Sequence, residues 1–103
     1  MPSNPPSQLP LYFTLEAQDD LEHILQYSLA TWGEAHAEAY GQKLNQAFQR
    51  IQNHPLTGIM REDVFPDYRV MLVERHLVFY WTKPNETVII RILHQRQDPK
   101  GHF

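Results

Sequence analysis

The stretch "YRVMLVERHLVFYWTKPNETVIIRILH", residues 68–94, decides the fold. It holds three runs rich in β-branched and aromatic residues, 68–73, 76–82 and 87–94. Such side chains fit a pleated surface. Only Glu74-Arg75 and the turn-like Lys83-Pro84-Asn85-Glu86 separate them. Connections this short pair consecutive strands as antiparallel hairpins. The runs are apolar on both sides. With strict alternation Val88, Ile90 and Ile92 share one face, while Ile89, Arg91 and Leu93 share the other. Likewise Leu77, Phe79 and Trp81 oppose Val78 and Tyr80. A sheet with one open face should alternate apolar and polar residues. Both faces are therefore expected to be covered. The chain is expected to be too short to cover the second, which points to a partner protein.

Upstream the period changes from two to between three and four. Ala17, Leu21, Ile24, Leu25, Ser28 and Trp32 form one stripe, which predicts a helix from about 15 to 32. Thr14 is its expected N-cap, and Glu16, Asp19 and Asp20 favour its positive end. Gly33 ends it. A second stripe, Ala37, Tyr40, Leu44, Ala47, Phe48 and Ile51, predicts a helix from about 34 to 53, stopped by Asn53-His54-Pro55. So short a turn makes the pair an antiparallel helical hairpin. Tyr27, Trp32 and Tyr40 are expected to pack at its closed end as core aromatics rather than as a base-stacking platform. The segment 9–14 has the residues of a short strand, and 56–67 reads as a loop punctuated by Gly58 and Pro66. The fold class is α+β: a short N-terminal strand and a helical hairpin on one face of a small antiparallel sheet.

Composition bounds the function. The chain's 103 residues make one domain, and residues 1–10 carry four of its eight prolines and no charge. They read as a flexible leader, leaving residues 11–103 as the domain. No run approaches the about 20 apolar residues needed to span a bilayer, so no membrane association is expected. Without cysteine there is no disulfide, thiolate nucleophile or cysteine zinc site, which fits the cytoplasm. Residues 1–60 carry Lys43 and Arg50 against six acidic residues, whereas residues 61–103 carry seven basic against six acidic. The net charge of −3 and pI near 6.0 argue against direct sequence-specific binding to nucleic acid, which usually calls for a strongly basic face.

None of the six histidines stands in a compact metal-ligand spacing, so solvated histidines are favoured over a metal centre. No nucleophile elbow or phosphate-cradling glycine loop occurs, and no cofactor is expected. A ribonuclease using the 2′-hydroxyl needs a base, an acid and cations for the developing phosphorane charge. Arg69, Arg75, His76, Arg91, His94 and Arg96 are candidates, with Tyr80 as acid or stacking group. No carboxylate is placed by its spacing as the base. Surface ion pairs of Arg69 and Arg91, with Glu74 or Glu86, are the favoured alternative.

The run "FTLEAQDDLEHILQYSLATWGEAHAEAYGQKLNQAFQRIQNHP" resembles the amino-terminal half of ParE-type toxins, in the RelE/ParE superfamily of bacterial toxin–antitoxin systems. The likeness lies in Ala17, Asp20-Leu21, Ile24, Tyr27, Trp32-Gly33, Ala37, Tyr40, and Asn53-His54-Pro55 before Gly58. Likewise "YRVMLVERHLVFYW" and "IIRILHQRQDP" are similar to the family's later motifs. The resemblance runs from about residue 11 nearly to the end. It implies the α+β fold already read from the residues, and a cognate ParD-like antitoxin that wraps the toxin. The ParE-like branch implies DNA gyrase as target and inhibition by binding, without catalytic residues. The RelE-like branch would instead imply a ribosome-dependent messenger endoribonuclease. A third possibility is a decayed, non-toxic homologue that only binds antitoxin, in keeping with an acidic balance where many members are basic. The residues expected to grip target or antitoxin are Arg69, Tyr80, Arg91, His94, Arg96 and Asp98.

Overall fold

The computed structural model describes residues 9–103. Most of the expected leader, residues 1–8, lies outside the described residues. The chain opens with β1 (Leu11–Phe13), then α1 (Leu15–Trp32) and α2 (Glu34–Asn53). After them come β2 (Ile59–Met60), β3 (Tyr68–Val73), β4 (His76–Lys83) and β5 (Glu86–His94). A 3-10 turn, Pro99–His102, follows. The sheet order is β1-β5-β4-β3-β2. The hairpins β3–β4 and β4–β5 are antiparallel, as the short connections require. β1 lies parallel to β5 at the opposite edge from β2. The two-residue β2, inside the expected loop, pairs Ile59 with Val70 and Met60 with Arg69.

Thr14 joins the first layer to the second. Its Oγ1 accepts from the Ala17 N–H at 3.0 Å and donates to the Ile90 carbonyl at 2.7 Å. Gly33, at φ +96°, turns the chain between the helices, and its N–H donates to the Leu29 carbonyl. A side chain at that φ would be strained. The main core lies between the hairpin and one sheet face. It holds Ala17, Leu44, Ala47, Phe48 and Ile51 from the helices with Val73, Val78, Tyr80, Ile89 and Ile92 from the strands. Leu21 and Ile24 pack against it.

The structure corrects three expectations. First, β5 does not alternate strictly. Phe79 pairs with Arg91 and Tyr80 with Ile89, so Ile90 is the extra residue of a bulge. The bulge resets the alternation, placing Ile89 and Ile92, three positions apart, in the same core. Second, the chain covers much of the other sheet face itself. Val70, Phe79 and Leu93 are buried there with Val64 and Leu77 against them. The Phe103 ring sits 5.1 Å from Phe79 and 5.3 Å from Tyr68, and the Arg61 guanidinium lies over Phe79. The loop before β3 and the C-terminus thus cover part of that face, while Leu72, which alternates with Val70, and Ile59, which pairs with it, remain exposed. Third, Tyr27 and Trp32 are not core residues. They are 67% and 60% exposed. The hairpin's closed end faces the β3–β4 turn across a cleft, so the stripe loses its packing partner there.

Candidate functional site

That cleft has a volume of about 610 Å³. Its helical wall carries Tyr27, Ser28 and Trp32 from α1, with His36, Tyr40 and Lys43 from α2. Its sheet wall carries Glu74, Arg75, His76 and His94. The ladder explains the second set. Val73 pairs with His76 and His76 with His94, so the end of β3, the start of β4 and the end of β5 meet at one end of the sheet. The two-residue turn places Glu74 at φ +56° and sets Arg75 on the rim.

The cleft is internally wired. The buried Ser28 hydroxyl meets His36 Nδ1 at 3.0 Å, and the His36 ring lies 5.6 Å from the Trp32 ring. The Tyr40 hydroxyl meets both His76 Nδ1 and, at 3.2 Å, the Val73 carbonyl. Burial, helped by the neighbouring His94, pushes His76 down to about 4, so the ring is neutral at pH 7. Burial also raises the Tyr40 phenol. Lys43 Nζ bridges Glu74 at 2.6 Å, and its hydrogen bond lowers the carboxylate. The Arg75 guanidinium takes part in no hydrogen bond or ion pair among the described residues.

The structure separates the expected site residues. His94 lies in the cleft, its ring 5.3 Å from that of His76 at a near-perpendicular angle. Its Nδ1 accepts from the Arg96 N–H, and its own N–H donates to Gln97 Oε1. His94 thus closes a compact turn that leaves the Arg96 side chain exposed. Asp98 is exposed too, with its carboxylate capping the 3-10 turn through the Lys100 N–H.

Arg69 and Tyr80 pair across β3 and β4, away from the cleft. The buried Tyr80 hydroxyl accepts from the Gly58 N–H at 2.7 Å and donates to the Pro55 carbonyl at 2.8 Å. Arg69 donates to the Gly58 carbonyl at 2.8 Å and, more weakly, to that of Leu56. Arg91 lies elsewhere again. It forks onto Asp20 at 2.7 and 2.9 Å and donates to the His102 carbonyl. Asp20 also accepts from the Ile92 N–H, so this carboxylate fastens α1 to β5 beyond the end of β1. The expected pairing of Arg69 and Arg91 with Glu74 or Glu86 is therefore incorrect. Those carboxylates face Lys43 and Lys83. The hydrogen-bond needs of the 55–58 loop and of the open end of β5 took precedence over surface pairing.

Tyr27 and Trp32 were the residues sequence reasoning misplaced, whereas Tyr40 packs against the main core as expected. One signal was available: Ser28, a small polar residue, sits where the α1 stripe would need bulk to continue to Trp32. Among the described residues no three or more His, Asp or Glu side chains are grouped to hold a metal ion. Among the same residues no helix is long and apolar enough to cross a membrane.

A small α+β domain with a helical hairpin on a five-stranded sheet is the RelE/ParE-like architecture, and a solved chain shares it. The structure titled "Chromosomal ParDE TA system from P. aeruginosa" superposes with a TM-score of 0.73 at 22% identity, covering 85% of this chain and 97% of that one. Residues 11–99 match the family model described as ParE toxin of type II toxin-antitoxin system, parDE, and the chain belongs to that family. It is similar to Toxin ParE1 of Mycobacterium tuberculosis H37Rv, 34% identical over 83 residues, 80% of this chain and 85% of the relative. It is also similar to Toxin ParE1 of Caulobacter vibrioides, 32% identical over 94 residues, 91% of this chain and 97% of the relative. The chain is thus the toxin component of a ParE-type toxin–antitoxin system.

Proposed function

We propose that the toxin inhibits DNA gyrase in the cytoplasm by binding, without chemistry of its own, and that a ParD-like antitoxin neutralises it. The observation that carries the binding reading is how the candidate cations are used. Arg69 and Arg91 hold a loop and a helix in place, and Tyr80 bonds with both its oxygen and its proton inside the fold. Arg96 and Asp98 stay at the surface on a turn that His94 closes. This supports Arg96 and Asp98 as grip residues and His94 as their anchor. The rival nuclease reading draws on one observation, that His76, His94 and Arg75 line a common cleft. Against it, the cleft's carboxylate, Glu74, is bridged to Lys43, and His76 is bonded to Tyr40.

The test uses purified, antitoxin-free toxin in a gyrase supercoiling assay and a ribosome-bound messenger cleavage assay. Supercoiling should fall while the messenger stays intact. Arg96→Ala should weaken inhibition more than His94→Gln, because the arginine supplies contact energy and the histidine supports the turn. Codon-specific cleavage that disappears in His94→Gln would establish the nuclease instead. Antitoxin binding with neither activity would identify a decayed toxin.

A further inference from the structure

The sheet face away from the helices ends in an apolar corner that the fold leaves bare. The ladder sets its floor. Leu72 pairs with Leu77 and Leu77 with Leu93, and the next row joins Ile59, Val70 and Phe79. Val70, Phe79 and Leu93 are buried on this face. Leu72 and Ile59, at the β3 and β2 ends of the two rows, are 58% and 73% exposed. Phe65, its ring 4.9 Å from that of Tyr68, extends the corner and is 51% exposed.

We infer that this corner is the contact between two copies of the chain, packed face to face about a two-fold axis. Area, charge and the shape of the sheet edge select a second copy. At about 200 Å² for a fully exposed side chain of this size, the three present roughly 350 Å² per copy, within the about 300–600 Å² of the largest patch on a typical monomer. With the roughly 57% apolar share usual in interfaces, two such patches form the core of a contact of about 1,200 Å², the lower limit for specific, stable interfaces. That area fits a reversible dimer and not an obligate one. A two-fold contact sets each residue near its own kind, so an unpaired charge in the patch would oppose it. The row of Leu72 holds no charge. The arginines bordering the row of Ile59 are spent, Arg91 on Asp20 and Arg61 on Asp63 at 2.8 and 2.9 Å. An acidic peptide or a phosphate strand therefore finds no free partner in these rows, whereas a second copy brings the neutral apolar surface that matches them. β2 is only two residues long, too short to template edge-to-edge strand pairing, so the face and not the edge makes the contact. The helices lie on the other face, and the dimer leaves the cleft of the hairpin open.

The experiment takes the full chain, freed of its antitoxin in denaturant and refolded, and follows its mass by sedimentation velocity from about 1 to 300 μM, a span that brackets a micromolar dimer. The mass should rise from 12.2 kDa toward twice that value. Leu72→Glu and Ile59→Glu should each keep the monomer mass throughout, with the parent's melting temperature at low concentration, because both side chains are exposed. Leu72→Ala, which adds no charge, should weaken dimerisation by about 10-fold. Leu29→Glu, an exposed change on α1, should dimerise as the parent does. A parent that stays monomeric at the highest concentration would overturn the inference, as would a dimer that Leu72→Glu leaves intact or growth that runs on past the dimer. A monomeric parent whose antitoxin affinity or gyrase inhibition falls with Leu72→Glu would overturn it too, and give the corner to that partner instead.

Discussion

Tyr80 and Gly58 form a lock that distinguishes a structural tyrosine from a contact tyrosine. Tyr80 is 0% exposed, and its hydroxyl bonds both the Gly58 N–H and the Pro55 carbonyl. Tyr80→Phe removes only the oxygen. The buried Gly58 N–H then lacks an acceptor, which costs about 1–3 kcal/mol. The Pro55 carbonyl, half-buried, regains a partner in water, so the whole change should cost about 2–3 kcal/mol. In a domain of this size that lowers Tm by about 8–24 °C. Gly58→Ala approaches the same contact from the other side. Its Cβ would lie 2.5 Å from the hydroxyl oxygen and 2.7 and 2.9 Å from ring carbons. The ring is enclosed, so the loop must move, breaking both hydrogen bonds at a cost of about 3 kcal/mol or more. In the double variant the hydrogen bonds can be lost only once, although the ring carbons at 2.7 and 2.9 Å still obstruct the added Cβ. The two costs should then fall short of adding by about 1–2 kcal/mol. Urea unfolding of the three variants gives these numbers, and calorimetry on the folded proteins gives antitoxin affinity, expected within 2-fold of the parent. A Tyr80→Phe protein as stable as the parent to about 0.5 kcal/mol, yet impaired in binding or inhibition, would refute the reasoning and make Tyr80 a contact residue.

Phe48 is buried in the main core with its ring edge-on to Phe13. Phe48→Ala should cost about 3–5 kcal/mol, and an unchanged urea midpoint would contradict the burial. Asp20→Ala strands the Arg91 guanidinium and the Ile92 N–H, which should cost about 2–4 kcal/mol; a loss below about 0.5 kcal/mol would mark an ordinary surface pair. His76 is held at about 4 by burial, below the ordinary 6.5 of an unfolded chain. The unfolded state thus binds the extra proton, and the stability contribution present above about pH 6.5 is lost as pH falls toward 4. After discounting for partial exposure this amounts to about 1–2 kcal/mol. The His76 ring protons should titrate near pH 4 in NMR, and a midpoint above 6 would exclude the buried neutral ring.

The elements were legible because their signals are local. Stripes of period 3.6, the cap at Thr14, the stop at His54-Pro55 and the β-branched runs each act within a few residues, and each element fell within a residue or two of its expected place. What escaped depends on distant partners. The two residues of β2 pair through Val70 and Arg69 rather than through any propensity of Ile59-Met60. The bulge at Ile90 answers to the match between β4 and β5. Asp20, read as a favourable charge near a helix start, turned out to be the acceptor for Arg91, 71 residues away in sequence. The candidate arginines shared this limit. Their residue type announced charge, but only the fold determined that loop carbonyls and a helix carboxylate would meet two of them.

The sheet ladder then divides the remaining candidates by position along the strands. Arg69 and Tyr80 stand four pairs up the β3–β4 ladder from the Val73–His76 end, a distance of about 13 Å at strand rise. The Glu74-Arg75 turn, His76, His94 and the Arg96 turn all gather at that end, under the closed end of the helical hairpin. Phe103, Arg61 and Val64 cover part of the second face, while Ile59, Phe65 and Leu72 stay exposed beside them. Exposed rings, an arginine outside the internal hydrogen bonds and a solvent-facing turn coincide at this end of the sheet, beside the turn proposed above to grip the target.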